Sequence, residues 1–478
     1  MTNHSFHHSI LRAYDIRGIY QKTLFEQDAF YVGKCFASYL NKLKKHKIVI
    51  ASDGRTSSPI LKKKLIEGLL ASGVEIIDIG VGPTPMLYFA VYHLKCHGGI
   101  MITGSHNPKD HNGFKMMIKN QNFYGAEILK LGNILQSQDF VDGKNGTIKK
   151  IDISQNYVER LLQDCELVSN KSNLLSEVEN YAPLKKLRIA WDNGNGSAGE
   201  ILQQLTKRID AEHFLLYEKI DGNFPNHHPD PTEEKNLQDL INCVKKNHCD
   251  VGIAFDGDGD RIGVVDDKGQ IIWGDQLLIF YALDILKHQR NATIIGDVKA
   301  SSLLFDQIKK AHGNAIMWKT GHSLIKAKMK EENASVAGEM SGHIFFADKY
   351  YGFDDALYAA IRLINILIHS KIKLSQMLAK LPKTYASPEF RIETSEEQKF
   401  KIVEDLKKLL QHNHEKFIDI DGIRMESDLG WWLIRASNTQ PVLVARCEGT
   451  SLDNLKLMKN NLRDKLKLCN LTIPHELH

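Results

Sequence analysis

Paired cysteines are missing from this chain. Its seven cysteines, Cys35, Cys96, Cys165, Cys243, Cys249, Cys447 and Cys469, are odd in number and scattered, with no CxxC spacing. A disulfide framework is therefore not expected, and the thiols read as free in a reducing compartment. Charge of one sign is also scarce. Sixty-two Lys and Arg face 58 Asp and Glu, a formal net charge of +4, which gives no reason to expect a nucleic-acid partner; the lysines between Lys42 and Lys47 and at Lys62 to Lys64 read as solvated helix faces. No long apolar run occurs. The most apolar helical stretch, Ile361 to Ile368, is interrupted by Arg362 and Asn365 and is too short to span a bilayer. The opening MTNHSFHHSI lacks the basic-then-apolar order of a signal peptide. Proline and glycine, 12 and 34 residues, are at ordinary globular levels. These absences leave a soluble cytoplasmic protein with no membrane partner as the expectation.

What is present is a weakly repeated unit. Lys47 to Ser52 (KIVIAS) runs into Asp53, a small-residue loop and a helical segment from Pro59 to Ala71, then VEIIDIG and Gly82-Pro83-Thr84. Leu187 to Trp191 is followed by Asp192, a glycine-rich loop, a helix from Ala198 to Arg208 and the strand HFLLYE. Thr293 to Gly296 leads to Asp297, a helix from Ser302 to Ala311 and AIMW. Strand–helix–strand order with apolar strands predicts parallel βαβ units, and three copies predict three related α/β domains with mixed, largely parallel sheets. After Leu381-Pro382 the texture changes to EFRIETS, a helix from Gln398 to Gln411, FIDIDGIRMES, GWWLIRAS, PVLVARCEG and a closing helix, a small α+β domain. At 478 residues a division at 1–152, 153–270, 271–383 and 384–478 is expected. Functional groups should gather beyond the carboxyl ends of the parallel strands.

Several loops carry chemistry. Asp256-Gly257-Asp258-Gly259-Asp260-Arg261 follows the apolar strand DVGIAF, and its three carboxylates suit a hard cation such as Mg²⁺. An EF-hand is excluded, because Arg261 stands at position 6 and Asp267 at position 12. Arg261 is well placed to contact a phosphate. Arg435-Ala436-Ser437-Asn438-Thr439-Gln440-Pro441 is rich in donors and suits a phosphate dianion; an ordinary polar turn is the plainer alternative. Gly338-Glu339-Met340-Ser341-Gly342-His343 offers groups suited to sugar hydroxyls, with a capped helix start as its alternative. Gly194-Asn195-Gly196-Ser197-Ala198-Gly199 matches GxGxxG after a strand, with Glu218 where a ribose-binding acid would stand, and motivates a rival reading as a NAD-dependent dehydrogenase. Against that rival, Asp192 and Asn193 intervene before the first glycine. Ser105, in Thr103-Gly104-Ser105-His106-Asn107-Pro108, is not a hydrolase elbow, since Asn107 replaces the second glycine of GxSxG. Nor does KDHNG after Pro108 continue as a helix that Ser105 could cap. A serine sharing a site with a metal loop suits phosphoryl transfer, with Lys115 adding positive charge.

Together these motifs resemble the α-D-phosphohexomutase family, and within it the bacterial phosphomannomutase/phosphoglucomutase group. TGSHNP is similar to its phosphoserine loop, DGDGDR to the metal loop, GEMSGH to the sugar loop and RASNTQP to the phosphate-binding loop, all in family order along the whole chain. RAYDIRG (Arg12 to Gly18), DVK (Asp297 to Lys299) and WKTGHSLIK (Trp318 to Lys326) are similar too. Two departures are His111, where the family often has Tyr, and Gln440 before Pro441. The resemblance implies four domains around a central cleft and a phosphoryl group carried on Ser105. It also implies Mg²⁺ held by Asp256, Asp258, Asp260 and a phosphoserine oxygen of Ser105. Sugar contacts would come from Glu339 and Ser341 with His343 beside them, and the non-reacting phosphate would rest on Arg435, Ser437, Asn438 and Thr439. Tyr14, Arg17, Lys115, Arg261, Lys299 and His322 would line the cleft, with Arg17 and Lys115 nearest the transfer, His322 a proton-transfer candidate, and His106 and Lys115 balancing charge. The implied reaction interconverts hexose 1- and 6-phosphates of mannose or glucose through a bound 1,6-bisphosphate, with glucose 1,6-bisphosphate as activator. A glucosamine-phosphate mutase and a non-catalytic sugar-phosphate binder are the alternatives, and a monomer is the expected state.

Overall fold

The computed structural model describes residues 4–119, 123–143, 146–168, 186–438, 440–469, 471 and 477. Thr439 lies outside the described residues. The chain divides into two compact units, 1–281 with 341–376, and 282–340 with 377–478.

The first unit holds two sheets. In one, the neighbours run Ile16–Ile19, His111–Ile118, Gly98–Ile102, Lys47–Ser52, Glu75–Val81, Thr147–Lys150. The last four are mutually parallel, and the first two are antiparallel additions at one edge. Lys47–Ser52 and Gly98–Ile102 are apolar and buried from Ile48 onward, as strands covered on both faces must be. The second sheet runs Ile271–Ile272, Ile262–Asp266, Val251–Phe255, Arg188–Asp192, Glu212–Leu216, with the last three parallel. The expected first two βαβ units are thus present, with helices at Ser58–Leu70, one residue earlier than its apolar pattern suggests, and Gly199–Thr206, slightly shorter than its pattern suggests.

Because neighbouring strands point the same way, their exits share one edge. Ser52 delivers Asp53, Val81 delivers Gly82 to Thr84, and Ile102 delivers Thr103 to Ser105; in the second sheet Asp192 and Phe255 deliver the two glycine-rich loops. The antiparallel register sets Met101 opposite Lys115, which carries that lysine to the same end. Later in this unit Asp355 caps the apolar helix Ala356–His369 by accepting from Tyr358 N at 2.9 Å, an arrangement that contributes ~1 kcal/mol. Tyr157 and Tyr350 also donate to its carboxyl, at 2.8 and 2.9 Å. Burial, partly offset by those hydrogen bonds, pushes Asp355 up to about 7.

In the second unit, Thr293–Asp297 pairs in parallel with Asn314–Trp318 and Val336–Gly338, the third expected unit. Their exits carry Val298-Lys299, Lys319 to His322 and Glu339. The C-terminal sheet is antiparallel: Tyr385–Ala386, Val442–Gly449, Gly430–Ala436, Ile423–Ser427, with Phe390–Glu393 also on Val442–Gly449. Glu396–His412 and Leu452–Leu468 pack on it around Trp432, Ile434 and Leu443. Among the described residues all seven cysteines are free, and no helix is long and apolar enough to cross a membrane.

Candidate active site

Ser105 sits at the mouth of Gly98–Ile102 with its backbone in the left-handed region, φ 50°, a conformation that costs a serine roughly 1–2 kcal/mol. The side chain is 2% exposed. Its hydroxyl donates to Asp256 Oδ2 at 2.9 Å and lies 3.3 Å from His106 Nδ1, while its amide donates to Thr103 Oγ1 at 2.8 Å. The hydroxyl is thus aimed at the acidic loop.

The three aspartates are fully buried, with one oxygen of each within 4.8 Å of the others. Asp256 Oδ1 accepts from the amides of Asp260 and Arg261 at 3.0 and 3.1 Å, which curls the loop around it. Asp258 Oδ2 accepts from Thr84 Oγ1 at 2.6 Å, Thr103 Oγ1 at 3.1 Å and Lys115 Nζ at 2.7 Å. Lys115 also pairs with Asp260. Burial and then the charges of Asp260 and Asp258 hold Asp256 far above the usual carboxylate range. Burial acts the same way on Asp258, but Lys115 and its hydrogen bonds outweigh it and hold Asp258 low. Burial opposes the Lys115 charge, yet the acids around it raise its affinity for the proton. One ammonium faces three carboxylates, and Asp258 Oδ1 is buried without a hydrogen-bond partner. All-oxygen donors, net negative charge and an unmatched acceptor fit a hard divalent cation.

The same unit places the other predicted cations nearby. Arg17 is buried and pairs with Asp15. Arg261 Nε donates to His343 Nε2 at 3.0 Å, and His343 Nδ1 lies 3.0 Å from Asp354 Oδ2. An Nε2 that accepts must be unprotonated, so the imidazole carries its proton on Nδ1, facing the acid. His343 therefore holds Arg261 from behind, an arrangement its motif did not suggest. His106 is held well below the ordinary histidine range by burial and by Arg261, Arg17 and Lys115. Tyr14 and Ser341 are partly exposed.

In the second unit, Lys299 pairs with Glu389 at 2.9 Å; burial works against its charge, but Glu389 and then Asp297 raise it. Glu339 is buried and accepts from Gly321 N at 2.5 Å, just before His322 starts the helix His322–Glu331. Arg435, at the end of Gly430–Ala436, donates through Nε to Asp421 Oδ2 at 2.9 Å. Ser437 and Asn438 follow it, Ser437 Oγ accepting from Gln440 N at 3.2 Å.

The glycine-rich loop Gly194–Gly199 is no dinucleotide cradle. A Cβ on Gly196 would meet the carbonyls of Asn193, Asp256 and Gly257 at 2.9–3.1 Å, and one on Gly199 the Glu218 carbonyl at 1.8 Å. Ser197 N donates to Gly257 O at 2.9 Å. The loop braces the acidic one, so the dehydrogenase reading fails. The residues that motif reading missed are Asp53, Arg55, Thr84, Thr103 and Asp354. The only hint of Thr84 is Gly82-Pro83-Thr84 after a strand, and Asp53-Gly54-Arg55 reads as a plain loop.

The chain matches known families along most of its length. Residues 8–142, 155–269 and 273–385 match phosphoglucomutase/phosphomannomutase alpha/beta/alpha domains I, II and III, and 389–465 match the C-terminal domain of the same family. The phosphomannomutase/phosphoglucomutase of Pseudomonas aeruginosa PAO1 is 40% identical over 98% of this chain and 97% of its own. A phosphoglucomutase of Neisseria gonorrhoeae is 41% identical, covering 95% and 96%. A crystal structure of a phosphoglucomutase/phosphomannomutase family protein from Burkholderia thailandensis superposes with TM-score 0.88 at 39% identity, covering 97% of this chain and 99% of that one. This chain belongs to the phosphoglucomutase/phosphomannomutase family, a group of phosphosugar isomerases.

Proposed function

We propose that this chain interconverts the 1- and 6-phosphates of mannose and glucose, with Ser105 as the phosphate carrier. The observation that carries the reading is the Ser105 hydroxyl, buried and held 2.9 Å from Asp256 at the head of a three-carboxylate cluster. Phospho-Ser105 gives its phosphoryl group to the free sugar hydroxyl: the P–Oγ bond breaks, a P–O bond to the sugar forms, and the hydroxyl proton leaves, His322 being its acceptor. The hexose 1,6-bisphosphate then presents its other phosphate, whose P–O(sugar) bond breaks as P–Oγ re-forms and the proton returns. Phosphoryl transfer asks mainly for positioning and charge neutralisation, which Arg17 and Lys115 supply, with Arg261 held by His343.

Asp256, Asp258 and Asp260, with an oxygen on Ser105, would hold Mg²⁺. When bound, the ion neutralises charge on the transferring phosphoryl oxygens. Glu339 and Ser341 take the sugar hydroxyls, and Arg435, Ser437, Asn438 and Thr439 the phosphate that does not react, with Tyr14, His106 and Lys299 as further contacts. Domains at 1–152, 153–270, 271–383 and 384–478 and a cytoplasmic monomer belong to the same proposal. Relatives of equal identity carry both the mannomutase/glucomutase and the glucomutase names, which favours a dual substrate.

A coupled assay on mannose, glucose and glucosamine 1-phosphates, with and without Mg²⁺ and glucose 1,6-bisphosphate, tests this. Turnover of the first two, dependent on both additions and lost in Ser105→Ala, is expected. A folded Ser105→Ala that keeps turnover overturns the carrier role, and turnover of glucosamine 1-phosphate alone overturns the substrate assignment.

A further inference from the structure

Arg55 is 1% exposed, touches none of the acids of the cation cluster, and belongs to no motif singled out above. Yet its guanidinium is the hub of the Ser105 loop. Nε donates to Asp53 Oδ2 at 3.1 Å, Nη1 to the carbonyls of Pro108 and His111 at 2.5 and 3.1 Å, and Nη2 to those of Ser105 and Asn107 at 2.7 and 2.6 Å. An arginine has five N–H donors, and five acceptors meet them. Asp53 closes the ring. It also accepts from Gly104 N at 3.0 Å, from Arg55 N at 3.1 Å and from Ser58 Oγ at 2.6 Å. Four carbonyls converging within seven residues repel one another unless a cation sits among them, and the planar fork of arginine suits such a set where a lysine point charge does not.

Other features protect the arrangement. A Cβ on Gly104 would lie 2.4 Å from both Cζ and Nε of Arg55. The absent side chain there makes room for the guanidinium. The Phe224 ring covers Cζ at 5.1 Å, and Gly222 packs on the Arg55 backbone, where a Cβ would meet its Cα at 2.5 Å.

We propose that Arg55, seated by Asp53, is a positioning residue for phosphoryl transfer: it draws the Ser105 carbonyl inward, holds the left-handed backbone at that residue, and so aims Oγ at Asp256. The proposal rests on Ser105 being the carrier. Misplacement by about 1 Å can cost about a hundredfold in rate, so Arg55→Lys should lower kcat about a hundredfold while KM for the hexose phosphate stays within about twofold.

The test measures kcat and KM of Arg55→Lys and Arg55→Ala, their thermal melts, and the rate at which each gains a phosphate mass from glucose 1,6-bisphosphate. Added methylguanidine should partly restore Arg55→Ala. A wild-type protein that takes up no phosphate at Ser105 removes the carrier reading itself. A wild-type protein that does so, beside a folded Arg55→Lys that matches its rate, overturns the clamp alone. If neither Arg55 variant folds, Gly104→Ala decides: its Cβ displaces the guanidinium, and a loss of kcat at constant KM supports the clamp, whereas unchanged kcat overturns it.

Discussion

The loop at Ser105 and the loop at Arg435 are both strand exits rich in polar groups, yet they are built differently. The first is tied to the acidic loop through side chains from distant parts of the chain: Thr84, Thr103 and Lys115 all converge on Asp258 Oδ2. Its charges are buried, with the single ammonium of Lys115 shared between Asp258 and Asp260. Arg435 instead leans on Asp421, 15% exposed, and the following Asn438 and Gln440 reach solvent. A region where charge develops during reaction benefits from fixed dipoles that need no rearrangement. A region that only grips an anion can stay wet and adjustable. The difference predicts that damage to the first is read in kcat and damage to the second in KM.

The largest effect should follow from Asp258→Asn, which keeps the shape and removes a charge facing Lys115 and the proposed cation site. Losing one such charge contact costs about a hundredfold or more in kcat, and the Mg²⁺ concentration for half-activation should rise; a Mg²⁺ titration of turnover checks both. Unchanged Mg²⁺ dependence would break the comparison. Arg435→Ala should act next. A hydrogen bond to a charged group contributes about 1.5–3 kcal/mol, so KM for the hexose phosphate should rise roughly ten- to a hundredfold while phosphate uptake by Ser105 from acetyl phosphate is unchanged.

The smallest effect on turnover should come from Asp355, a buried acid of the same unit that lies outside the cation cluster and so serves as a control. Its carboxyl stays protonated in the folded state up to about 7, against a reference of 3.8. Between those values the unfolded chain binds fewer protons than the folded one, so stability should fall as pH rises from about 4 to about 7 and level off above. Tyr157, Tyr350 and the Tyr358 amide face this group, and Arg160 covers the Tyr350 ring. Asp355→Asn should flatten that slope in denaturant melts across this pH range while leaving kcat nearly unchanged.

How much of this was legible beforehand depended on sequence distance. Asp256, Asp258 and Asp260 are alternate residues of one short loop, and Ser105 has its glycine and proline close by, so the local pattern alone points to them. The three parallel pairs were legible because each apolar strand ends at an aspartate and a small-residue loop. Arg55 was not, because its four carbonyl acceptors lie 50 to 56 residues on and only the strand order brings them together. Asp354 was hidden in the same way, meeting His343 across a turn that no local pattern marks. The Gly194–Gly199 loop misled for a physical reason: its glycines answer to neighbouring carbonyls, and a motif scan does not see what fills the space beside a missing side chain.

A hydroxyl is also what threonine offers, and threonine is the other aliphatic side chain on which proteins carry phosphate. At the φ of 50° found at Ser105, however, a branched β-carbon is a genuine steric outlier. Exchange of one hydroxyl amino acid for the other is closed off here by the main chain. On the proposed reading, a torsion angle and not the oxygen decides which hydroxyl side chain can carry the phosphate.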